Sequence, residues 1–152
     1  MSVHPAPAEP TPAARPAVTL PRLREAAAKG EKLAFTQADV RRHGWAIEAR
    51  VNSEVPEEGY RASFGRVENY DEPQLPGVRI DSGIDGQSEI TPHYDSMVAK
   101  VIGFGSTRDA ALARLVGGLR RFRVEGTQTN QAFLVDLLER PVFRDVLTTR
   151  FL

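Results

Sequence analysis

The sequence contains no cysteine, no long apolar run and no excess of charge of either sign. Without cysteine there is neither a disulfide framework nor a thiolate nucleophile, which fits a reducing compartment. No apolar run approaches the roughly 18 residues that a membrane-spanning helix requires. Twenty basic residues balance twenty acidic ones, so net charge indicates neither nucleic acid nor a membrane as partner. Because the N-terminus lacks the apolar core of a signal peptide, we expect a cytoplasmic protein.

Several common catalytic motifs are also missing. The chain has no GxxxxGK[ST] phosphate loop, no GxGxxG dinucleotide turn and no GxSxG nucleophile elbow. Its histidines, His4, His43 and His93, lie far apart in the sequence, which argues against a three-ligand metal site. We therefore expect no bound metal ion.

Proline is concentrated at the N-terminus, where six of the eleven prolines fall within the first 21 residues. This composition buries too little apolar surface to offset ordering entropy, so residues 1–17 are predicted to form a flexible or polyproline-like tail. Residues 18–152 are long enough for one domain with a real core. The order of predicted elements indicates an α+β fold, a single domain with an antiparallel β-sheet flanked by helices.

The segment from Gly44 to Glu54, GWAIEARVNSE, has the strict alternation of a β-strand. One face receives the apolar side chains of Trp45, Ile47, Ala49 and Val51, and Trp45 is interpreted as a core residue. The other face receives Glu48, Arg50 and Asn52, spaced about 7 Å apart. An acceptor, a permanent cation and an amide therefore form one row.

Other segments have clear periods or end signals. Further strands are predicted at Gly65–Tyr70, Val78–Asp81, Glu89–Thr91 and Ser96–Gly103, the last with a helix as alternative because short apolar runs do not fix the period. Helices are predicted at Pro21–Lys29, from Thr36 to about Arg42, after the capping box Ser106–Asp109, after a Thr129 cap and at Val142–Val146. The helix after the capping box has a predicted buried stripe of Ala111, Leu112, Leu115, Leu119 and Phe122. The helix after Thr129 has a predicted stripe of Phe133, Leu134, Leu137 and Leu138 and is expected to end at Pro141. Gly117 and Gly118 are expected to let another element approach closely.

The Glu48, Arg50 and Asn52 row has two interpretations. Spacing alone favours a solvated strand face with an ion pair. The alternative is anion recognition, because arginine offers a planar fork of donors to carboxylate, phosphate or bicarbonate, and Glu48 could hold that fork in place.

Asp95 and Lys100 also have alternative roles. Residue statistics favour Asp95 as a turn-capping aspartate, and the alternative is a second residue that orients Arg50. Lys100, alone in an apolar run, is expected to extend its amino group to the surface.

From about Leu33 to Leu152 the chain resembles the C-terminal domain of biotin carboxylase, the ATP-using component of biotin-dependent carboxylases. The matching segments are LAFTQADV, HGWAIEARVNSE, LPGVRIDSGI, ITPHYDSMVAKVI, GSTRDAALARL, FRVEGTQTN and the final FL. They occur in the family's order and spacing over about four-fifths of the chain. HGWAIEARV and EPQLPGVRIDSGI are more similar to propionyl-CoA and related acyl-CoA carboxylases than to pyruvate carboxylase.

The resemblance implies that ATP phosphorylates bicarbonate, after which the ureido nitrogen of biotin is carboxylated. It implies that Arg50 is catalytic and that Glu48, Arg50 and Asp95 lie on the biotin and bicarbonate side of the site. A fixed cation at Arg50 would contribute on the order of 3 kcal/mol if it resembles other preorganised donors. Arg79 corresponds to a position near the homodimer contact of bacterial members.

The sequence also departs from the family. Val55 stands where an acid is usual, and the residues that bind ATP and magnesium belong to upstream domains not encoded in these 152 residues. We therefore expect biotin on a carrier protein as the cofactor, ATP and magnesium only through other domains, and inactivity in isolation. The expected partners are a biotin carboxyl carrier protein or the remaining carboxylase domains. The alternative function is a non-catalytic module that dimerises with, or regulates, a full-length carboxylase.

Overall fold

The computed structural model describes residues 20–33, 35–39 and 43–145, without the side chains of residues 20, 21, 144 and 145. It divides into two compact units, one ending at residue 42 and the other beginning at His43. The predicted tail, residues 1–17, lies outside the described residues. In the described ranges no helix has the length and hydropathy needed to cross a membrane.

The first unit contains helix α1 (Leu20–Ala28), close to the predicted bounds. Gly30 follows it with a positive φ of 69°, the left-handed conformation common after a helix end. Further along, the backbone N–H and the hydroxyl of Thr36 both donate to Asp39 at 2.9 Å. This confirms the predicted cap, although the turn that it begins is a 3-10 helix (Gln37–Asp39) and residues 40–42 lie outside the described part.

The second unit contains short strands and three helices in its described part. The strands, in chain order, are β1 (Trp45–Asn52), β2 (Glu54–Val55), β3 (Arg61–Ala62), β4 (Gly65–Arg66), β5 (Asn69–Asp71), β6 (Val78–Ser82), β7 (Glu89–Ile90), β8 (Met97–Gly105) and β9 (Arg123–Glu125). The helices are α2 (Arg108–Arg121), α3 (Gln131–Glu139) and α4 (Val142–Asp145).

All strand pairs in this unit are antiparallel, which confirms the predicted α+β class. β8 is the central strand of a three-stranded sheet of order β1-β8-β6, and three two-stranded pairs surround it. The strand predicted at Ser96–Gly103 is therefore confirmed. The strand predicted at Gly65–Tyr70 is wrong as one piece, because the chain changes partner at Val67 and pairs first with β7 and then with β9.

Helix α2 covers one face of the three-stranded sheet. Its N-cap is Thr107, whose hydroxyl accepts from Ala110 N at 3.1 Å, one residue after the start of the predicted capping box. The predicted buried stripe is confirmed, since each of its five side chains is at most 4% exposed: Ala111, Leu112, Leu115, Leu119 and Phe122. These side chains form the core with Val51, Val98, Val101 and other apolar residues of the sheet.

The helix can approach the sheet this closely because β8 carries glycine where the two meet. A Cβ on Gly103 would lie 2.6 Å from Leu115 N, and one on Gly105 would lie 2.5 Å from Ala111 N. On the helix side, a Cβ on Gly118 would lie 2.9 Å from Val78 Cγ1, as predicted for close approach. Gly117 is different, because its Cβ would meet only the Arg121 side chain, at an ordinary 3.6 Å.

Two other predictions are wrong in detail. Trp45 is 53% exposed rather than buried, because it begins an edge strand opposite Gly105, the last residue of β8, at the margin of the sheet. The N-cap of α3 is Asn130 and not Thr129. α3 does end just before Pro141, and α4 follows at the predicted place, but on the predicted apolar stripe of α3 only Leu138 is fully buried.

A hydrogen-bonded chain joins β5 to β6, which belong to different sheets. Ser82 donates to the Glu72 carboxylate, and the Tyr70 hydroxyl is bonded to the Ser82 oxygen. The Tyr70 ring packs edge-on against Phe122, with ring centroids 5.4 Å apart. Burial raises the pKa of Tyr70 to about 12, and the nearby Glu72 carboxylate acts in the same direction. The phenol therefore stays neutral in the folded chain.

Substitution Gly103→Ala should lower the free energy of unfolding by about 2 kcal/mol, because the added methyl group overlaps the backbone of α2. Gly117→Ala is the matched control and should raise it by up to about 1 kcal/mol through helix propensity alone. Urea denaturation of both variants measures the difference. Equal stability of the two variants would contradict the close packing.

Phenolate absorbance as a function of pH tests the Tyr70 environment. A tyrosine in an unfolded chain has a pKa of about 10, whereas the pKa of Tyr70 in the folded chain is about 12. The neutral Tyr70 phenol therefore stabilises the fold fully below the unfolded pKa, and this stabilisation is lost as the pH rises to the folded pKa. The Tyr70→Phe variant should therefore match the unmodified chain in phenolate absorbance up to about pH 11, with folding followed by circular dichroism. Loss of one of three tyrosine signals below that pH would refute the assignment.

Candidate functional site

The strand β1 presents charged side chains to solvent because its other face lies under α2. Ala49 and Val51 are buried, whereas Glu48 and Arg50 between and beside them are exposed. The side chain of Arg50 is 67% exposed. The alternation predicted from the sequence is thus present in the structure, and the row of Glu48, Arg50 and Asn52 lies on the face away from the core.

The register of the sheet extends this row across three strands. Arg50 is opposite Lys100 of β8, which is opposite Asp81 of β6. Glu48 is opposite Ile102, which is opposite Arg79. We call this surface the polar sheet face, defined by Glu48, Arg50, Arg79, Asp81 and Lys100. It carries three cations and two carboxylates.

The two arginines of the polar sheet face are held differently. Arg79 donates from Nε and from a terminal nitrogen to the two carboxylate oxygens of Asp81, at 2.7 and 2.8 Å. These hydrogen bonds lower the pKa of Asp81, and Lys100 acts in the same direction. Arg50 makes a looser ion pair, with 3.5 Å between its Nε and Glu48 Oε1. The Glu48 contact involves Nε, so the two terminal nitrogens of Arg50 can serve another anion.

Asp95 lies in the turn before β8, where its carboxylate accepts a hydrogen bond from Met97 N at 3.1 Å. This is the turn-capping role that the sequence favoured over orientation of Arg50. Next to it, Tyr94 is 85% exposed. Both residues line an open cavity of about 360 Å³ together with Ser96, Met97 and residues of the segment before β7.

The end of β1 is held by polar contacts that local sequence patterns did not predict. The Asn52 amide donates to Glu54 Oε1 at 3.0 Å, and the Ser96 hydroxyl donates to the same oxygen at 2.7 Å. Ser53, fully buried, bonds to Ser63 O and to the Thr127 hydroxyl. Asn130 contacts the backbone of β1 directly.

Sequence reasoning missed three residues of this region: Lys100, which is opposite Arg50, Asp81, which is opposite Lys100, and Asn130. The first two follow only from strand register, although alternation in β6 and β8 already placed each on a polar face. Asn130 is separated from Arg50 by 80 residues, so no local pattern connects them. Within residues 20–33, 35–39 and 43–145, no group of three or more acidic or histidine side chains could hold a metal ion.

The sequence is similar to a known protein family and to several characterised proteins. The family model described as the biotin carboxylase C-terminal domain matches residues 48–152. Biotin carboxylase 1 of Bacillus subtilis is 44% identical over 116 residues, which are 76% of this chain and 26% of the relative. The mitochondrial propionyl-CoA carboxylase alpha chain of Homo sapiens is 41% identical over 128 residues, which are 82% of this chain and 18% of the relative.

A solved structure shows the same fold. The biotin carboxylase domain dimer of the Hydrogenobacter thermophilus 2-oxoglutarate carboxylase, in complex with MgADP, ADP and bicarbonate, superposes with a TM-score of 0.79 at 33% identity. The match covers 88% of this chain and 30% of that one. A pyruvate carboxylase of Aspergillus niger is 40% identical, so identity does not separate the acceptors that the relatives carboxylate. With more than half of its residues matched by the family model, the chain belongs to the biotin carboxylase C-terminal domain family.

Proposed function

We propose that this chain is the C-terminal part of a biotin carboxylase and contributes Arg50 to the ATP-dependent carboxylation of biotin by bicarbonate, within an acyl-CoA carboxylase. The proposal rests mainly on the exposure and pairing of the Arg50 side chain on the polar sheet face. Its guanidinium is exposed and only loosely paired with Glu48. Because the chain spans 26% of the Bacillus subtilis biotin carboxylase and 18% of the human propionyl-CoA carboxylase alpha chain, the rest of the site would come from other domains.

The contrast with Arg79 supports Arg50 as the anion-binding residue. Both side chains are about equally exposed, but the fork of Arg79 is already occupied by a bidentate carboxylate. An incoming anion would have to displace Asp81 from Arg79, whereas Arg50 has free donors in the geometry that suits carboxylate and bicarbonate oxygens. Lys100, opposite Arg50 in the sheet, adds positive potential on the same face.

The chemical role of Arg50 is electrostatic. A guanidinium fixed before the reaction stabilises negative charge that develops on bicarbonate-derived oxygens or on the ureido oxygen of biotin, without reorganisation during the step. Glu48 pairs with this guanidinium through Nε, at 3.5 Å. We also propose, as the family resemblance implies, that Asp95 lies on the substrate side of the site; it lines an open cavity with Tyr94.

The family uses biotin, ATP and magnesium in the complete enzyme. The polar sheet face fits the anionic reactants, because its cations outnumber its carboxylates. Because the chain spans 26% of one relative and 18% of the other, we assign ATP and magnesium to other carboxylase domains, and biotin to a carrier protein that brings it to the polar sheet face.

We also propose that Arg79 lies near a contact between two copies of the domain. Its side chain is 68% exposed and is fixed by Asp81. The related Hydrogenobacter thermophilus biotin carboxylase domain forms a dimer. An exposed arginine that is already held by an ion pair loses less side-chain freedom on binding than a mobile one, which suits it to a contact between two proteins.

Complementation tests the proposed role of Arg50. The 152-residue chain should restore biotin carboxylation to Bacillus subtilis biotin carboxylase 1 from which the matching C-terminal part has been deleted. Arg50→Ala should lower the restored rate about 100-fold, as expected for loss of a preorganised donor. Arg61→Ala is the matched control, because Arg61 is an exposed arginine that pairs with Glu58 away from the polar sheet face, and it should have no effect. A restored rate that is indifferent to Arg50, or binding without activity, would instead favour a non-catalytic interaction module.

The purified chain alone should not hydrolyse ATP in the presence of free biotin and bicarbonate, because we assign the binding of ATP and magnesium to the other carboxylase domains. A coupled assay for ADP release measures this activity, with the complemented enzyme as the positive control. Biotin-dependent ADP release by the chain alone would show that it contains a complete site.

A further inference from the structure

We infer that Asn130 is the positioning residue of Arg50. This inference rests on the proposed function of Arg50, but it concerns a group that lies on another element and contacts no substrate. Asn130 is 8% exposed and precedes the first residue of α3. Its side chain makes hydrogen bonds to the backbone of β1 at Arg50 and Asn52.

Asn130 occupies the N-cap of α3, where an asparagine side chain ordinarily accepts a hydrogen bond from its own helix. Here the side chain makes no such bond. It reaches instead to residues 78 and 80 positions away in the sequence, in β1. The helix therefore lacks the usual side-chain cap, and the Asn130 amide instead joins α3 to β1.

Three hydrogen bonds join Asn130 to β1. Its backbone N–H donates to Asn52 O at 3.0 Å, its Oδ1 accepts from Asn52 N at 3.0 Å, and its Nδ2 donates to Arg50 O at 3.3 Å. β1 is an edge strand, and these groups lie on the edge that β8 leaves open. Asn130 thus takes the place of a neighbouring strand over the segment from Arg50 to Asn52.

The support is needed because the ladder between β1 and β8 is irregular at this point. Val51 is opposite Ala99, but Asn52 is opposite Met97, so one residue of β8 is left out of the pairing. Regular pairing with β8 ends one residue after Arg50. The long Arg50 side chain has only a loose ion pair, at Nε, so the position of its backbone sets the region that the guanidinium can reach.

The chemistry of the contact requires an amide. One side chain must accept from Asn52 N and donate to Arg50 O at the same time, which a carboxylate cannot do because it has no donor. Asn130→Asp keeps the shape and the acceptor but places a negative oxygen against a carbonyl. Gln131→Glu is a matched control: the Gln131 amide donates to Leu119 O and Phe122 O, so that change introduces the same charge one residue away without touching β1.

The first test uses the chain alone and nuclear magnetic resonance. Asn130→Asp should shift the Arg50 Nε–Hε resonance and increase its mobility, whereas Gln131→Glu should leave it in place. In the unmodified chain the backbone N–H of Asn52 should exchange with solvent at least about 10-fold more slowly than an exposed backbone N–H, because Asn130 Oδ1 accepts a hydrogen bond from it. Equal effects of the two substitutions on Arg50 would overturn the inference. If Asn130→Asp fails to fold, rapid exchange of the Asn52 backbone N–H in the unmodified chain would overturn it instead.

The second test uses the complemented carboxylase. Asn130→Asp should lower kcat about 10-fold through misplacement of Arg50, with Gln131→Glu near the unmodified rate. Combined with Arg50→Ala, the Asn130→Asp substitution should cause no further loss, because its effect passes through that arginine. An undiminished loss in the Arg50→Ala background would show a merely structural role. If Arg50→Ala itself has no effect, the proposed function fails, while the resonance test still decides whether Asn130 positions Arg50.

Discussion

The close contact between α2 and the centre of β8 determines the rest of the second unit. Gly103 and Gly105 leave no room for a side chain between strand and helix, so the helix backbone lies directly on the sheet. Because α2 covers that face, the alternate residues of β1, β6 and β8 must face solvent. The polar sheet face is thus a consequence of packing on the opposite side, and its charged rows follow from strand register.

The distribution of partners on this face separates two arginines that look equivalent in sequence. Each stands in a strand with an acidic residue two positions away, Glu48 before Arg50 and Asp81 after Arg79. The structure gives Arg79 a bidentate carboxylate and Arg50 a single longer contact. A cation that is held but not neutralised is suited to binding an anion, which is why Arg50 rather than Arg79 carries the proposed chemistry.

Local periodicity was sufficient for the elements that bury one face. The alternation in β1 and the buried stripe of α2 both appear as predicted, because burial under a partner imposes the period directly. Trp45 was misassigned since alternation gives the face of a residue but not where the covering helix ends. Lys100 and Asn130 could not be placed beside Arg50 because register and edge contacts depend on long-range pairing. The proposed role of Arg50 came from the resemblance to a family, because spacing alone favoured a solvated ion pair.

An edge strand suits the role proposed for Arg50, which is to bind a reactant together with groups from other domains. On a central strand, Arg50 would have a neighbouring strand on each side and less free space around its guanidinium. The cost of an edge is a row of unpaired backbone groups, which destabilise the strand or invite pairing with another chain. Asn130 satisfies three of those groups, Arg50 O, Asn52 N and Asn52 O, along the edge of the sheet, and so leaves the polar sheet face open. The same amide thereby stabilises the end of β1 and keeps Arg50 accessible.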